Sequence, residues 1–134
     1  FTASRGRGAF LDDRRIRVSK CLRLQDALVG TGFPYKEVAR IDDYLRQMKT
    51  VMTSAAGVRR AGAAALDLAY VAAGRFDAFW EAGLARWDMA AGALLIQEAG
   101  GLVSDLKGGS GYLDKGEIAA GTPKVLPELV AALK

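Results

Sequence analysis

From residue 27 to the end of the chain, short apolar runs alternate with segments of helical period, and glycine closes several of them. Residues 27–31 form an apolar run that Gly32-Phe33-Pro34 stops. Over 37–52, Val38, Ile41, Leu45, Met48 and Met52 fall on one helical stripe. A brief strand is expected at 58–61, then an Ala-rich helix over 62–73 ended by Gly74. The aromatic-rich run 76–84 reads as a strand, and 88–99 as a second helix closed by Gly100-Gly101. Strands at 102–106 and 118–120, a glycine-rich turn at 107–111 and a helix over 127–133 complete the pattern. Strand and helix in alternation lead to an α/β layered sheet.

The opening differs. Residues 1–19 read as a hairpin or meander: Gly6 and Gly8 punctuate it, Asp12-Asp13 supply a turn, and Ile16 and Val18 alternate with Arg15 and Arg17. Residues 1–26 are therefore expected to be the end of an N-terminal antiparallel sheet domain that is incomplete here, and 27–134 a C-terminal α/β domain. The unpaired strands of that opening, which would normally join a longer sheet, point to association.

At 134 residues with 51% hydrophobic and 25% charged, the chain can build a sizeable core and is not of disordered composition. No apolar run approaches the roughly 20 residues of a membrane span. The chain has no histidine, which removes His-based zinc sites and Ser-His-Asp triads. A single cysteine, Cys21, rules out an internal disulfide framework and fits a reducing cytoplasm. With no base to accompany it, Cys21 is no candidate nucleophile. Residues 1–60 hold 13 Lys/Arg against 6 Asp/Glu, and 61–134 hold 6 against 9. The basic half reads either as a solvated strand face or as a surface for nucleic acid or an acidic partner.

Two places carry candidate chemistry. Glu81 sits late in the aromatic strand and Asp88 where the next helix begins, so both can point into one cleft. Oxygen ligands of this kind suit magnesium, which takes one or two carboxylates plus waters and phosphate. Taken alone, Asp88 reads first as a plain helix cap, and Glu81 as a solvated strand residue. At Arg59-Arg60-Ala61-Gly62-Ala63-Ala64, a glycine and small residues at a helix start leave backbone N–H groups open to a phosphate or hydroxyl. Arg59 can add a charge-assisted contact. The plainer reading is an Ala helix packed on a sheet with arginines at its rim.

The stretch 60–101, RAGAAALDLAYVAAGRFDAFWEAGLARWDMAAGALLIQEAGG, resembles the C-terminal signature of the inositol monophosphatase family. Its W-D-x-A-A-G core stands as Trp87-Asp88-Met89-Ala90-Ala91-Gly92, followed by Glu98-Ala99-Gly100-Gly101. TASRGRGAFLDDRRIRVS and LVGTGFPY upstream are similar to the family's middle region, especially in bacterial members. The resemblance implies the α-β-α sandwich of the inositol monophosphatase and sugar phosphatase type, C-terminal portion. It implies an enzyme that uses Mg2+ to hydrolyse inositol 1-phosphate, and a homodimer. Asp88 would ligate magnesium near the substrate hydroxyls, and Glu81 would hydrogen-bond one of them. Gly62, Ala63 and Ala64 would touch the substrate ring through backbone, and Arg59 would contact substrate.

This chain departs from the family pattern at Ala63, where many relatives carry Ser or Thr, and at Arg86 beside the site. The family's D-P-[IL]-D-G-T segment, which supplies most metal ligands, has no match here: the chain contains neither Asp-Pro nor Asp-Gly. The chain alone is therefore expected to be inactive. Fructose bisphosphate, histidinol phosphate and an adenosine 3′,5′-bisphosphate remain alternative substrates on the same fold. A binding role through Arg5, Arg7, Arg14, Arg15, Arg17 and Arg23 is the alternative outside enzymology.

Overall fold

The computed structural model describes residues 1–34 and 37–134. Tyr35, the last residue of LVGTGFPY, lies outside the described residues. Three short strands, β1 (Thr2–Ser4), β2 (Gly8–Leu11) and β3 (Arg14–Ile16), form an antiparallel sheet in chain order. Asp12 and Asp13 both take the left-handed conformation, φ 50° and 65°, which the tight β2–β3 turn requires.

Among the described residues the second sheet has five strands in the order β5-β4-β6-β8-β7, built from β4 (Leu28–Thr31), β5 (Gly57–Arg59), β6 (Ala78–Ala82), β7 (Leu102–Ser104) and β8 (Glu117–Gly121). β4 runs parallel to β5 and β6, while β8 is antiparallel to β6 and β7. Helices α2 (Ala64–Ala72) and α3 (Arg86–Glu98) cover one face, and α1 (Ile41–Ser54) and α5 (Val125–Leu133) the other. The fold is the α-β-α sandwich expected.

Both faces of the central strand β6 are covered, and its side chains alternate between two cores. Phe79 packs with Leu68, Val71, Met89 and Ile96 on the α2/α3 side. Ala78 and Trp80 pack with Tyr44, Val51, Val125 and Leu129 on the α1/α5 side, where Trp80 stacks on Tyr44 at 5.9 Å. The helices α2 and α3 cross so closely that a Cβ on Gly92 would lie 2.5 Å from the Cβ of Leu68. The β1–β2 turn is tied to α3 by the Glu98 carboxylate, which accepts from the amides of Gly6 and Gly8 at 3.0 and 2.8 Å.

Several expected boundaries shift. The α3 helix starts at Arg86 rather than at Asp88, and α2 at Ala64 rather than Gly62, whose φ of +99° lies outside helical space. β6 is confined to Ala78–Ala82 because Asp77 turns inward, accepting from the Leu28 amide at 2.7 Å. β7 ends at Ser104 because Asp105 begins a turn that its own carboxylate organises through the Lys107 and Gly109 amides. A short helix α4 (Tyr112–Lys115) had no periodic signal. Residues 38–40 form a 3₁₀ turn leading into α1. On α1 the buried residues are Tyr44, Gln47 and Val51, and much of the apolar stripe read from the sequence faces outward. Tyr44 and Gln47 win the inner face through hydrogen bonds to Thr31 and to the Leu133 carbonyl.

Candidate functional site

The parallel strands β4, β5 and β6 end on the same edge of the sheet, and each hands the chain to the residues in question. Alternation along β6 puts Phe79 and Glu81 on the α2/α3 face. Gly30 of the neighbouring strand β4 and Gly32 just after its end leave space on that face. A Cβ on Gly32 would collide with the Glu81 carboxyl carbon and Oε1 and lie 2.8 Å from Oε2. The Glu81 head therefore occupies the volume that any other residue at 32 would fill.

β5 ends at Arg59, and the chain passes through Gly62 and an extended Ala63 into α2. Ala63 has no side-chain oxygen, so the amides of Ala64, Ala65 and Leu66 receive no cap from it, while the Asp67 amide donates to the Ala63 carbonyl at 2.9 Å. A helix N-terminus left without a side-chain cap among the described residues favours an anionic or hydroxylated ligand.

Asp88 is the third residue of α3. Its Oδ2 accepts from the Ala85 amide at 3.0 Å, and Ala85 cannot reciprocate with a side chain. Oδ1 has no hydrogen-bond donor among the described residues. One oxygen thus steadies the helix start and the other stays open, so the cap and ligand readings are compatible. Arg86 points to Asp114 of α4, with which it forms an ion pair.

Electrostatics link residues that the sequence separates. Burial pushes the Glu81 carboxyl up to about 7; the nearby charges of Asp67 and Asp88 push the same way, and Arg60 opposes them. Asp67, only 1% exposed, has both carboxylate oxygens buried without a hydrogen-bond partner among the described residues. Burial raises it to about 6 against the pull of Arg60. Arg60 also lies over the Phe33 ring at 4.8 Å, on the turn after β4.

Charge interactions therefore link Glu81 to Asp88 of α3 and to Asp67 in the first turn of α2. Arg59 is not drawn in: its guanidinium is exposed and donates to the Val58 carbonyl, while its neighbour Arg60 supplies the charge felt by Glu81 and Asp67. Sequence reasoning passed over Asp67 and Arg60. The available signal was an acid placed on the inward face of an otherwise apolar helix, where a charge needs a reason.

The fit to a metal is partial. Among the described residues no three His, Cys, Asp or Glu side chains converge as a cage. Asp88 with its open oxygen can give one hard oxygen ligand, within magnesium's usual complement of one or two carboxylates. The remaining ligands would have to come from elsewhere.

Comparison with known proteins identifies the family. The model of the inositol monophosphatase family matches residues 1–134. A Pseudomonas aeruginosa protein named Nus factor SuhB is 57% identical over 136 residues, covering 100% of this chain and 50% of the relative. An inositol-1-monophosphatase of Mesorhizobium japonicum is 50% identical over 134 residues, again with 100% and 50% coverage. Among solved structures, the extragenic suppressor protein suhB of Bartonella henselae superposes with a TM-score of 0.96 at 51% identity, covering 100% of this chain and 51% of that one. An inositol monophosphatase from Anabaena gives 0.92 at 37% identity, with 98% and 54% covered. The chain spans about half the length of the curated relatives it matches. With its whole length matched by the family model and its fold shared with solved members, the chain belongs to the inositol monophosphatase family.

Proposed function

We propose that this chain is the C-terminal half of a magnesium-dependent phosphomonoesterase that hydrolyses inositol 1-phosphate. The observation that carries the reading is the grouping of Glu81, Asp88 and Arg60 beside the open start of α2 at the carboxyl edge of the sheet. Water attacks phosphorus, the ester P–O bond breaks, and the departing alkoxide takes up a proton to give inositol and inorganic phosphate. Magnesium, when bound, supplies charge that activates the water and neutralises the phosphate and leaving oxygen. Asp88 would hold it through Oδ1 while Oδ2 keeps the helix start fixed. Glu81 would bond a ring hydroxyl, and the backbone of Gly62, Ala63 and Ala64 would seat the ring. Arg60, rather than Arg59, is placed to balance the negative charge around Glu81.

Residues 1–26 read as the end of the preceding sheet domain and 27–134 as the C-terminal domain; β1 and β3, both edge strands among the described residues, support this. The free thiol of Cys21 supports a cytoplasmic setting. No helix among the described residues is long and apolar enough to cross a membrane.

The test is phosphate release by the full-length protein across inositol 1-phosphate, fructose bisphosphate, histidinol phosphate and adenosine 3′,5′-bisphosphate, with magnesium and with chelator. Magnesium-dependent turnover that favours inositol 1-phosphate is expected, and the 134-residue chain alone should release none. Preference for another ester replaces the substrate, and metal-independent turnover removes the mechanism.

The relatives named Nus factor SuhB favour a second reading. Arg5, Arg7, Arg14, Arg15, Arg17 and Arg23 are all exposed and could hold RNA or an acidic protein. RNA binding that weakens steeply with salt would support it. Binding unchanged in an Arg14→Ala/Arg15→Ala variant would count against this surface.

A further inference from the structure

A cavity of about 560 Å³ opens where β6 ends, on the α1/α5 face of the sheet and so across it from Glu81. That volume lies within the range of roughly 300–1,000 Å³ usual for small-molecule sites. Its walls come from segments that all reach this edge. They are the first turns of α1, the last turn of α5, the paired ends of β6 and β8 at Ala82 and Glu117, and the turn after β7. Tyr44, Leu106 and Leu133 give it an apolar side.

Two polar groups on the lining are left without a partner. Gln47, one turn along α1 from Tyr44, is only 9% exposed. Its Nε2 donates to the Leu133 carbonyl at 3.5 Å, which turns Oε1 the other way, and no donor reaches Oε1 among the described residues. A buried amide oxygen is costly to leave unpaired. The second group is the Lys107 ammonium. Both carboxylates on the lining are engaged by arginines: Glu117 by Arg40 at 3.3 Å, and Asp43 by Arg46 at 3.9 Å. Arg40 also pairs with Glu37, and Arg46 donates to the Lys134 carbonyl at 2.6 Å. Lys107, like Lys134, has no carboxylate within ion-pair distance among the described residues. The backbone beneath Lys107 is fixed, because its amide donates to the Asp105 carboxylate at 2.9 Å in the turn that Lys115 braces.

We propose that this cavity binds a small hydroxylated anion, a phosphate ester or a hydroxy acid, whose anionic group meets Lys107 and whose hydroxyl donates to Gln47 Oε1. Charge and donor are both needed. An anion alone leaves the amide oxygen unpaired, and an uncharged alcohol leaves the ammonium without a counter-charge. The apolar side formed by Tyr44, Leu106 and Leu133 suits the carbon skeleton between the two groups. None of these residues is assigned to substrate or metal, so the site stands independently of the phosphatase reading.

The test titrates the full-length protein with glycerol 3-phosphate and with glycerate, in chelator so that no metal-dependent contact at Asp88 contributes. The readouts are the NMR shifts of the Lys107 backbone amide and the Gln47 side-chain amide, with melting followed for each variant. Saturable shifts of both groups are expected with at least one of the two anions, and the anion that saturates them identifies the ligand as phosphate ester or hydroxy acid. Lys107→Ala, on an exposed turn, should raise Kd about tenfold, and Lys107→Arg should recover most of that loss. Gln47→Leu should raise Kd for the hydroxylated anion about fivefold while leaving that for inorganic phosphate unchanged. Uncharged glycerol should bind at least about tenfold more weakly than the anion. No saturable shift with either anion would overturn the proposal, as would a Kd indifferent to Lys107→Ala. Glycerol binding as tightly as the anions would also overturn it.

Discussion

Gly32→Ala tests whether the Glu81 head is held where chemistry needs it. Gly32 is buried and its φ is not in the left-handed region, so alanine's backbone is tolerated there. The new Cβ, however, overlaps the Glu81 carboxyl group, and restoring ordinary contact requires that group to move by more than about 1 Å. The obstructing atoms are the far end of a flexible side chain, so the fold can yield at a cost of about 1 kcal/mol, the low end for overpacking. Catalysis is less forgiving: a displacement of roughly 1 Å in a positioning group costs on the order of 10²-fold. The full-length variant should therefore melt within a few degrees of wild type while kcat/KM for inositol 1-phosphate falls about 10- to 100-fold. A double-mutant cycle isolates the cause. In a Glu81→Ala background the clash is gone, and Gly32→Ala should change kcat/KM by less than about twofold. An equal loss in both backgrounds, or no loss in either, would show that Gly32 is not there to accommodate Glu81.

Asp88→Asn keeps an oxygen for the Ala85 amide and removes the negative charge, so melting should hardly change while turnover collapses and the magnesium requirement rises; near-wild-type turnover at low magnesium would mean the residue only caps the helix. Asp67 binds its proton more tightly folded than unfolded, so its contribution favours folding less as pH rises from about 4 to about 6. Asp67→Asn should therefore gain stability relative to wild type across that window, by on the order of 2 kcal/mol, and level off above it, as chemical denaturation at several pH values would show. Asp105, held down to about 2 chiefly by its hydrogen bond from Lys115 at 2.8 Å, carries the opposite sign. Its stabilisation is complete above pH 4 and fades as pH falls toward 2, and Asp105→Ala should cost roughly 2–4 kcal/mol at neutral pH by leaving the turn's amides unpaired. That loss should appear in melting and not in KM.

What could be read ahead of the structure depended on whether a residue's role is set by its own segment or by a neighbour. The layered sheet was legible because short apolar runs, such as the one through Phe79 and Trp80, alternate with segments of helical period, and such strands end up covered on both faces. Asp88 was legible as a residue at a helix start, because the flanking residues mark that start whatever lies across the cleft. The face that α1 buries was not legible. Periodicity shows that an apolar stripe exists, but Tyr44 and Gln47 turn inward through hydrogen bonds to Thr31 and Leu133, in segments 13 and 86 residues away. Asp67 and Arg60 were hidden for the same reason. An acid within an Ala-rich helix looks like a solubilising residue until the fold sets α2 against Glu81, and one arginine of an adjacent pair is chosen by the register of β5. Gly32 makes the case most clearly. In the sequence it ends a strand, and in the fold it is the space into which a carboxylate 49 residues later must fit. Local pattern thus locates the edge of the sheet where the site lies, while the arrangement within that site is fixed by contacts between strands and helices that no single segment encodes.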